Sequence, residues 1–140
     1  MNFFTFLGTS IEELIKTIHA NLHMWYSYIS TGFDKDNAII AKVTTDEASP
    51  WFEGHFPNDP TLPAIAQLNM VTDTIAKLLQ KDLSLQSLTR IKFKKVIRPG
   101  DILDILATAG KKENQYSFKI TSENQEVCSG RLVLTPIKEQ

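Results

Sequence analysis

Trp51-Phe52-Glu53-Gly54-His55-Phe56-Pro57-Asn58-Asp59-Pro60-Thr61-Leu62-Pro63-Ala64 is the stretch on which the reading of this chain turns. Pro57, Pro60 and Pro63 follow a glycine-histidine pair, and Pro50 stands just before it. Proline fixes φ and removes a backbone donor, so Asp46 to Pro63 is expected to be neither helix nor central strand. It reads as a long, stiffened loop, and such loops in compact domains tend to carry function. Pro63 suits the first turn of a helix. From Ala64 to about Gln80 no further Gly or Pro occurs, and Ile65, Leu68, Val71, Ile75, Leu78 and Leu79 supply apolar positions. That pattern predicts the main buried helix.

Upstream, Trp25 to Ser30 and Asn37 to Thr45 are rich in aromatic and β-branched residues, with Gly32 to Asp36 as turn material, which predicts a β-hairpin. Ser10 and Glu13 form a capping box, and Ile11, Leu14, Ile15, Ile18 and Leu22 recur at helical spacing, so an amphipathic helix is expected to about His23. The opening Met1 to Gly8 is apolar but lacks a basic flank and is too short for a signal peptide or a spanning helix. It reads as a packing segment that a two-chain assembly would bury. Downstream, Leu88 to Ile97, Ile102 to Ala109, Gln115 to Thr121 and Val127 to Leu134 are short β-branched runs separated by turn residues, and an antiparallel meander of four strands is expected. The whole, residues 1–140, is expected to be one α+β domain, a sheet packed on one principal helix.

Bulk properties agree with this. A chain of 140 residues, 42% hydrophobic and 22% charged, is sized and composed for a single core. A net charge of -1 gives no global attraction to nucleic acid. Cys128 is the only cysteine, so no internal disulfide forms, and a cytoplasmic location is expected, with no membrane partner. His19 and His23 have the spacing of a two-histidine metal site, but the glutamate and third ligand of such motifs are absent, and no metal or other cofactor is expected. Cys128 has no basic neighbour in sequence and reads as a small buried apolar residue.

The chemistry-bearing candidate is His55. A glycine before it and prolines after it hold the imidazole in one geometry just ahead of a helix start, which suits a general base. Unpaired N–H groups at that start, near Ala64, suit polarisation of a carbonyl such as that of an acyl thioester. A buried histidine that only ties loop carbonyls together is the alternative reading of the same residues.

Gly54-His55-Phe56-Pro57-x-x-Pro60-x-Leu62-Pro63 resembles the motif of the β-hydroxyacyl-acyl carrier protein dehydratases, the FabA/FabZ/ApeI-like family. Lys92-Phe93-Lys94-Lys95-Val96-Ile97-Arg98-Pro99-Gly100-Asp101 also resembles that family's strand leading into an R-P-G-D turn. The similarity covers roughly Trp25 to Leu134. It implies a hot-dog fold, in which a curved antiparallel sheet wraps a long helix, and a homodimer with active sites at the subunit interface. It implies His55 as catalytic base and a 3-hydroxyacyl group on an acyl carrier protein or coenzyme A thioester as substrate, losing water to give a 2-enoyl product.

At the family's second catalytic position, an acid on the long helix, this chain has Asn69. An amide supplies no proton, although it donates hydrogen bonds or orients a water. Asp73 lies one turn further along, on the same helix face, and is a candidate to take part, or else a solvated or capping carboxylate. Ala64 replaces the glycine usual at the helix start, which keeps the N–H donor but adds a Cβ where a thioester approaches. Phe52, Phe56, Leu62 and Leu68 suit an acyl-chain tunnel or plain core equally. Arg90, Lys92 and Lys94, expected on one strand face, read as a solvated face or as a docking patch for an acidic carrier. Three functions follow: a 3-hydroxyacyl-thioester dehydratase, a hot-dog thioesterase, and a non-catalytic acyl or carrier-protein binding module.

Overall fold

The computed structural model describes residues 26–45 and 64–137. Within them lie β1 (Tyr26–Phe33), β2 (Ile39–Thr45), helix α1 (Ala64–Leu79), β3 (Leu83–Phe93), β4 (Ile102–Ala109), β5 (Gln115–Ser122) and β6 (Gln125–Pro136). The expected N-terminal helix, the Met1 to Gly8 segment and the proline-rich loop with His55 fall outside the described residues.

Period-two alternation builds the sheet. Ile39, Ala41 and Val43 on β2 are buried and pair with Ala107, Ile105 and Leu103 on β4, while Ile40, Lys42, Asp104 and Leu106 between them face outward. Ile105 continues the inner row through Ile120 on β5 to Cys128 on β6. Against this face lies α1, which buries Ala66, Leu68, Met70, Val71 and Ile75. Two buried threonines on that side keep their hydroxyls satisfied within the helix: Thr72 donates to the Leu68 carbonyl at 3.0 Å and Thr74 to the Met70 carbonyl at 2.8 Å.

The sheet runs β1-β2-β4-β5-β6-β3, each neighbour antiparallel. The expected four-strand meander is therefore corrected. Strands β4, β5 and β6 do form one, but β3 pairs with β6 at the far edge. Both edges of β4 are taken, by β2 and β5, so β3 finds its partner only on the open side of the twelve-residue β6. Strand β3 also begins at Leu83 rather than Leu88 and ends at Phe93 rather than Ile97. Leu83 and Leu85 are drawn into pairing with Pro136 and Leu134, and beyond Phe93 the N–H groups of Lys94 and Lys95 both donate to the Val127 carbonyl, ending regular pairing.

Local turn chemistry explains the connections. In Arg98-Pro99-Gly100-Asp101, proline presets φ at the second position and Gly100 takes φ 86° at the third, as a type II turn requires. The turn is held from inside: the Asp101 carboxylate accepts from the Arg98 N–H at 2.9 Å. It is also docked on the end of β2, because the buried Thr45 hydroxyl reaches the carbonyls of Arg98 (3.1 Å) and Asp101 (3.2 Å) and the Thr45 N–H donates to Asp101 at 3.0 Å. Helix α1 ends in a Schellman arrangement, with Lys81 N–H on the Ala76 carbonyl at 3.1 Å and Gln80 N–H on Lys77 at 3.3 Å. The residue in the left-handed position is Gln80, at φ 54°, where glycine carries no Cβ penalty. Gln80→Gly is accordingly expected to stabilise the fold by about 0.5–1 kcal/mol, read as a higher urea midpoint at unchanged slope; a lower midpoint would refute the strain.

Candidate active site

Helix α1 brings two polar side chains to one face. Asn69 and Asp73 are a turn apart, each partly exposed between buried neighbours. No hydrogen bond ties the Asn69 side chain to another described residue.

Asp73 is engaged differently. The Tyr26 hydroxyl, at the start of β1, hydrogen-bonds with the side chains of Tyr28 and Asp73. Proton directions follow from the inner end of this network. Thr74 gives its single hydroxyl proton to the Met70 carbonyl, so across the 3.0 Å contact Tyr28 must donate to Thr74 Oγ1. With the Tyr28 proton committed, Tyr26 donates its own, and the Asp73 side chain is within its reach as an acceptor. Burial, then Tyr28 and Asp73, push the Tyr26 phenol far above its usual range, which keeps it a donor at any working pH. The rings of Tyr26 and Tyr28 meet edge-on at 5.5 Å, and the Lys77 ammonium stands 5.4 Å from the Tyr28 centroid. Asp73 is thus an acidic side chain held to the sheet by a buried phenol. Sequence reasoning missed Tyr26; the available signal was Tyr26-Ser27-Tyr28, which places two phenols on one strand face.

The other expected site residues are distributed unevenly. Ala64 is exposed and opens the helix, whereas Leu68, 5% exposed, belongs to the core cluster beneath it. His55, Phe52, Phe56 and Leu62 lie outside the described residues, as do His19 and His23. Among the described residues no group of three or more His, Cys, Asp or Glu could hold a metal ion. Cys128 is buried, and desolvation followed by Glu126 pushes its thiol up to about 12, which leaves it an inert thiol at neutral pH.

The basic residues of β3 are corrected in part. A bulge interrupts pairing between Thr89 and Lys92, and Arg90 there takes φ 55°, so strict alternation from Arg90 to Lys94 does not hold. Lys94 lies past the strand end and pairs with Glu126 at 2.7 Å; Lys94, with Lys119 and Ser129, holds that carboxyl below its usual range.

An antiparallel sheet laid over one long helix, in this chain order, is the hot-dog fold. The family model for ApeI-like proteins, described as ApeI dehydratase, matches residues 31–131. A 3-hydroxyacyl-[acyl-carrier-protein] dehydratase FabZ of Petrotoga mobilis is 31% identical over 139 residues, covering 93% of this chain and 99% of its own length. Among solved structures, the dehydratase heterocomplex ApeI:P from Xenorhabdus doucetiae is 25% identical, with a TM-score of 0.70, over 79% of this chain and 98% of that one. An uncharacterized protein from Erwinia carotovora subsp. atroseptica is 26% identical, also with a TM-score of 0.70, over 83% of this chain and 100% of that one. The chain belongs to the ApeI-like dehydratase family. No helix among the described residues is long and apolar enough to cross a membrane.

Proposed function

We propose that this chain dehydrates 3-hydroxyacyl thioesters carried on a phosphopantetheine arm, with His55 as general base and the Asn69–Asp73 face of α1 opposite it. The base takes the proton α to the thioester, that electron pair becomes the new carbon-carbon double bond, and the β-hydroxyl departs with a proton as water. The observation that carries the reading is the placement of Asn69 and Asp73 on one accessible helix face, in a family of dehydratases whose histidine motif this sequence retains. Since Asn69 has no proton to give, the leaving hydroxyl takes one from Asp73 or from a water oriented by the Asn69 amide. Thioester N–H donors come from the start of α1, near Ala64, and Phe52 and Phe56 contact the acyl group. Leu68 contributes to that wall only through the packing beneath it. The carrier is an acyl carrier protein, in keeping with the FabZ relatives, and coenzyme A is the alternative carrier.

The test is to incubate purified protein with a 3-hydroxyacyl-carrier thioester and follow enoyl product and free thiol together. Enoyl product without thiol supports dehydration; thiol release would replace it with the thioesterase reading. A second reading is favoured by Asn69 itself and by the heterocomplex of the Xenorhabdus doucetiae neighbour: a non-catalytic acyl or carrier-binding subunit. Tight binding with neither product would establish that role.

The chain also acts as a homodimer in this reading. One edge of β3 is bonded to β6 and the other has no strand beside it among the described residues, while Leu88 and Phe93 are 38% and 46% exposed on that strand. A second copy pairing there would protect the edge. Sedimentation should give twice the chain mass at micromolar concentration, and a monomer would remove the interface from the site.

A further inference from the structure

The outer face of the sheet is not uniformly polar. On β2 and β4 the outward positions come in cross-strand pairs: Ile40 beside Leu106, Lys42 beside Asp104 and Thr44 beside Ile102. Ile40, Leu106 and Ile102 are 41%, 39% and 50% exposed, and no described residue covers them. Apolar side chains grouped in this way are uncommon on a surface that stays in water. Ile40 and Leu106 form the floor of a groove of about 520 Å³, with Ser30 and Thr31 on one side and Lys119 and Thr121 on the other. Ile102 stands two positions back along β4 from Asp104, beyond one end of it.

Strand β1 leaves room beside this groove. Its residues facing the outer rows are small: Ser27 pairs with Thr44, Ser30 with Lys42 and Gly32 with Ile40. At Gly32 a Cβ would meet no atom within 4 Å. The inner side of the same strand is occupied by α1, since the Tyr28 hydroxyl meets Thr74 at 3.0 Å and the Lys77 ammonium stands over the Tyr28 ring. A segment that enters the sheet at Tyr26 therefore finds the inner side taken and the outer side open among the described residues.

We infer that this face is the docking surface for the chain's own segment Ser10 to His23, laid down as the amphipathic helix its sequence predicts and antiparallel to β1, with Leu14 toward Leu106 and Leu22 toward Ile102. Direction, length and charge favour this occupant. Strand β1 starts beside the Thr44–Ile102 row and ends beside Ile40, so a segment turning back at Tyr26 meets Ile102 first and Leu106 last. Ile102 to Leu106 spans about 13 Å along a strand, and Leu14 to Leu22 about 12 Å along a helix. The link from His23 through Met24 and Trp25 to Tyr26 reaches about 10 Å, the spacing of packed layers. Glu12 and Glu13, next to Leu14, then fall near Lys119, which pairs across the strands with Leu106, and Lys16 falls near Asp104. Lys42 and Lys119 hold their carboxylate partners only loosely, at 3.8 Å with about half of each lysine side chain exposed. A second copy laid on this face would bury those charges, whereas a helix covers the apolar stripe and leaves them at its wet rim. Docked there, the segment clamps the edge strand that carries Tyr26 and Tyr28 onto α1.

The experiment is thiol crosslinking of the full chain with a short bismaleimide, and it needs no turnover, so its outcome is independent of the dehydratase reading. Cys128 is buried, which leaves the introduced thiols to react. Leu14→Cys with Leu106→Cys, and Leu22→Cys with Ile102→Cys, should each give a link within one chain in most molecules, whereas Leu14→Cys with Leu88→Cys on β3 should not. Unfolding supplies a second readout that does not depend on crosslinking geometry. Leu106→Ala should lower the urea midpoint by about half a molar, where a truly exposed leucine would barely move it, and by less than half as much when Leu14→Ala is already present. Absence of both links, or additive effects of the two alanines, would overturn the inference. Links that join two chains, or capture of a dimer by Leu106→Cys alone, would do the same by showing that a second copy covers the face.

Discussion

His55→Ala is expected to cut enoyl-thioester formation by about 10²–10⁴-fold, the usual range for loss of a positioned general base. The same assay on Asn69→Asp is expected to show a gain of about tenfold or more, because a carboxyl there restores a proton donor at the position where the family carries one. Both effects should appear in kcat rather than KM, since each group acts on bonds that change only in the transition state. A third variant, Asp73→Asn, separates the routes for the leaving hydroxyl. If wild type is active and Asp73→Asn abolishes activity, the proton comes from Asp73; if Asp73→Asn is tolerated, it comes through water held by Asn69. Full activity in His55→Ala would sink the base assignment. Tyr26 bears on the Asp73 route through position, since its hydroxyl hydrogen-bonds with the Asp73 side chain and ties that carboxyl to the start of β1.

The extent to which this could be foreseen varies with the locality of the physics. Helix α1 was legible from Pro63, the Gly- and Pro-free run after it and the apolar spacing of Leu68, Val71 and Ile75, and its observed span, Ala64–Leu79, ends within one residue of expectation. The cores of β2, β4 and β5 were legible for the same reason, since alternation within a strand is written in the strand. Partner choice was not. Nothing within Leu83 to Phe93 says that β6 rather than β4 will accept it; that depends on which edges remain after β2, β4 and β5 have paired. Arg90 shows the same limit at the level of one residue. Its alternation with Lys92 is regular in sequence, yet closure onto Gly130 inserts a bulge that only the neighbouring strand makes necessary. At the site, Asn69 and Asp73 were legible as an i, i+4 pair on a helix, whereas the Tyr26 donor to Asp73 joins positions distant in sequence and needed the sheet to be placed on the helix first.

Met70→Ala is expected to destabilise the protein by about 3–4 kcal/mol, a large share of the roughly 5–15 kcal/mol that holds a domain of this kind together. Met70 is 0% exposed and is among the largest fully buried side chains, on the face of α1 turned to the inner row of the sheet. Truncation removes the thioether and its terminal methyl from a closely packed interior, and the antiparallel strands around it cannot collapse without breaking register, so most of the space stays empty. Met70→Leu, which nearly conserves volume, should cost less than about 1.5 kcal/mol, and Ile65→Ala, at a position 51% exposed on the same helix, less than about 0.5 kcal/mol. Urea unfolding followed by circular dichroism distinguishes these, with the midpoint moving and the slope constant. The functional consequence comes from adjacency. Asn69 precedes Met70 and Asp73 follows one turn later, so a helix that loses its central anchor loses the placement of both polar groups, and displacements of about 1 Å are enough to cost on the order of 10²-fold in rate. Activity per folded molecule should therefore fall in Met70→Ala at temperatures well below its Tm and be restored in Met70→Leu. A Met70→Ala variant losing under about 1 kcal/mol, with unchanged activity, would mean that α1 is anchored elsewhere and that the packing of the helix on the sheet does not set the site.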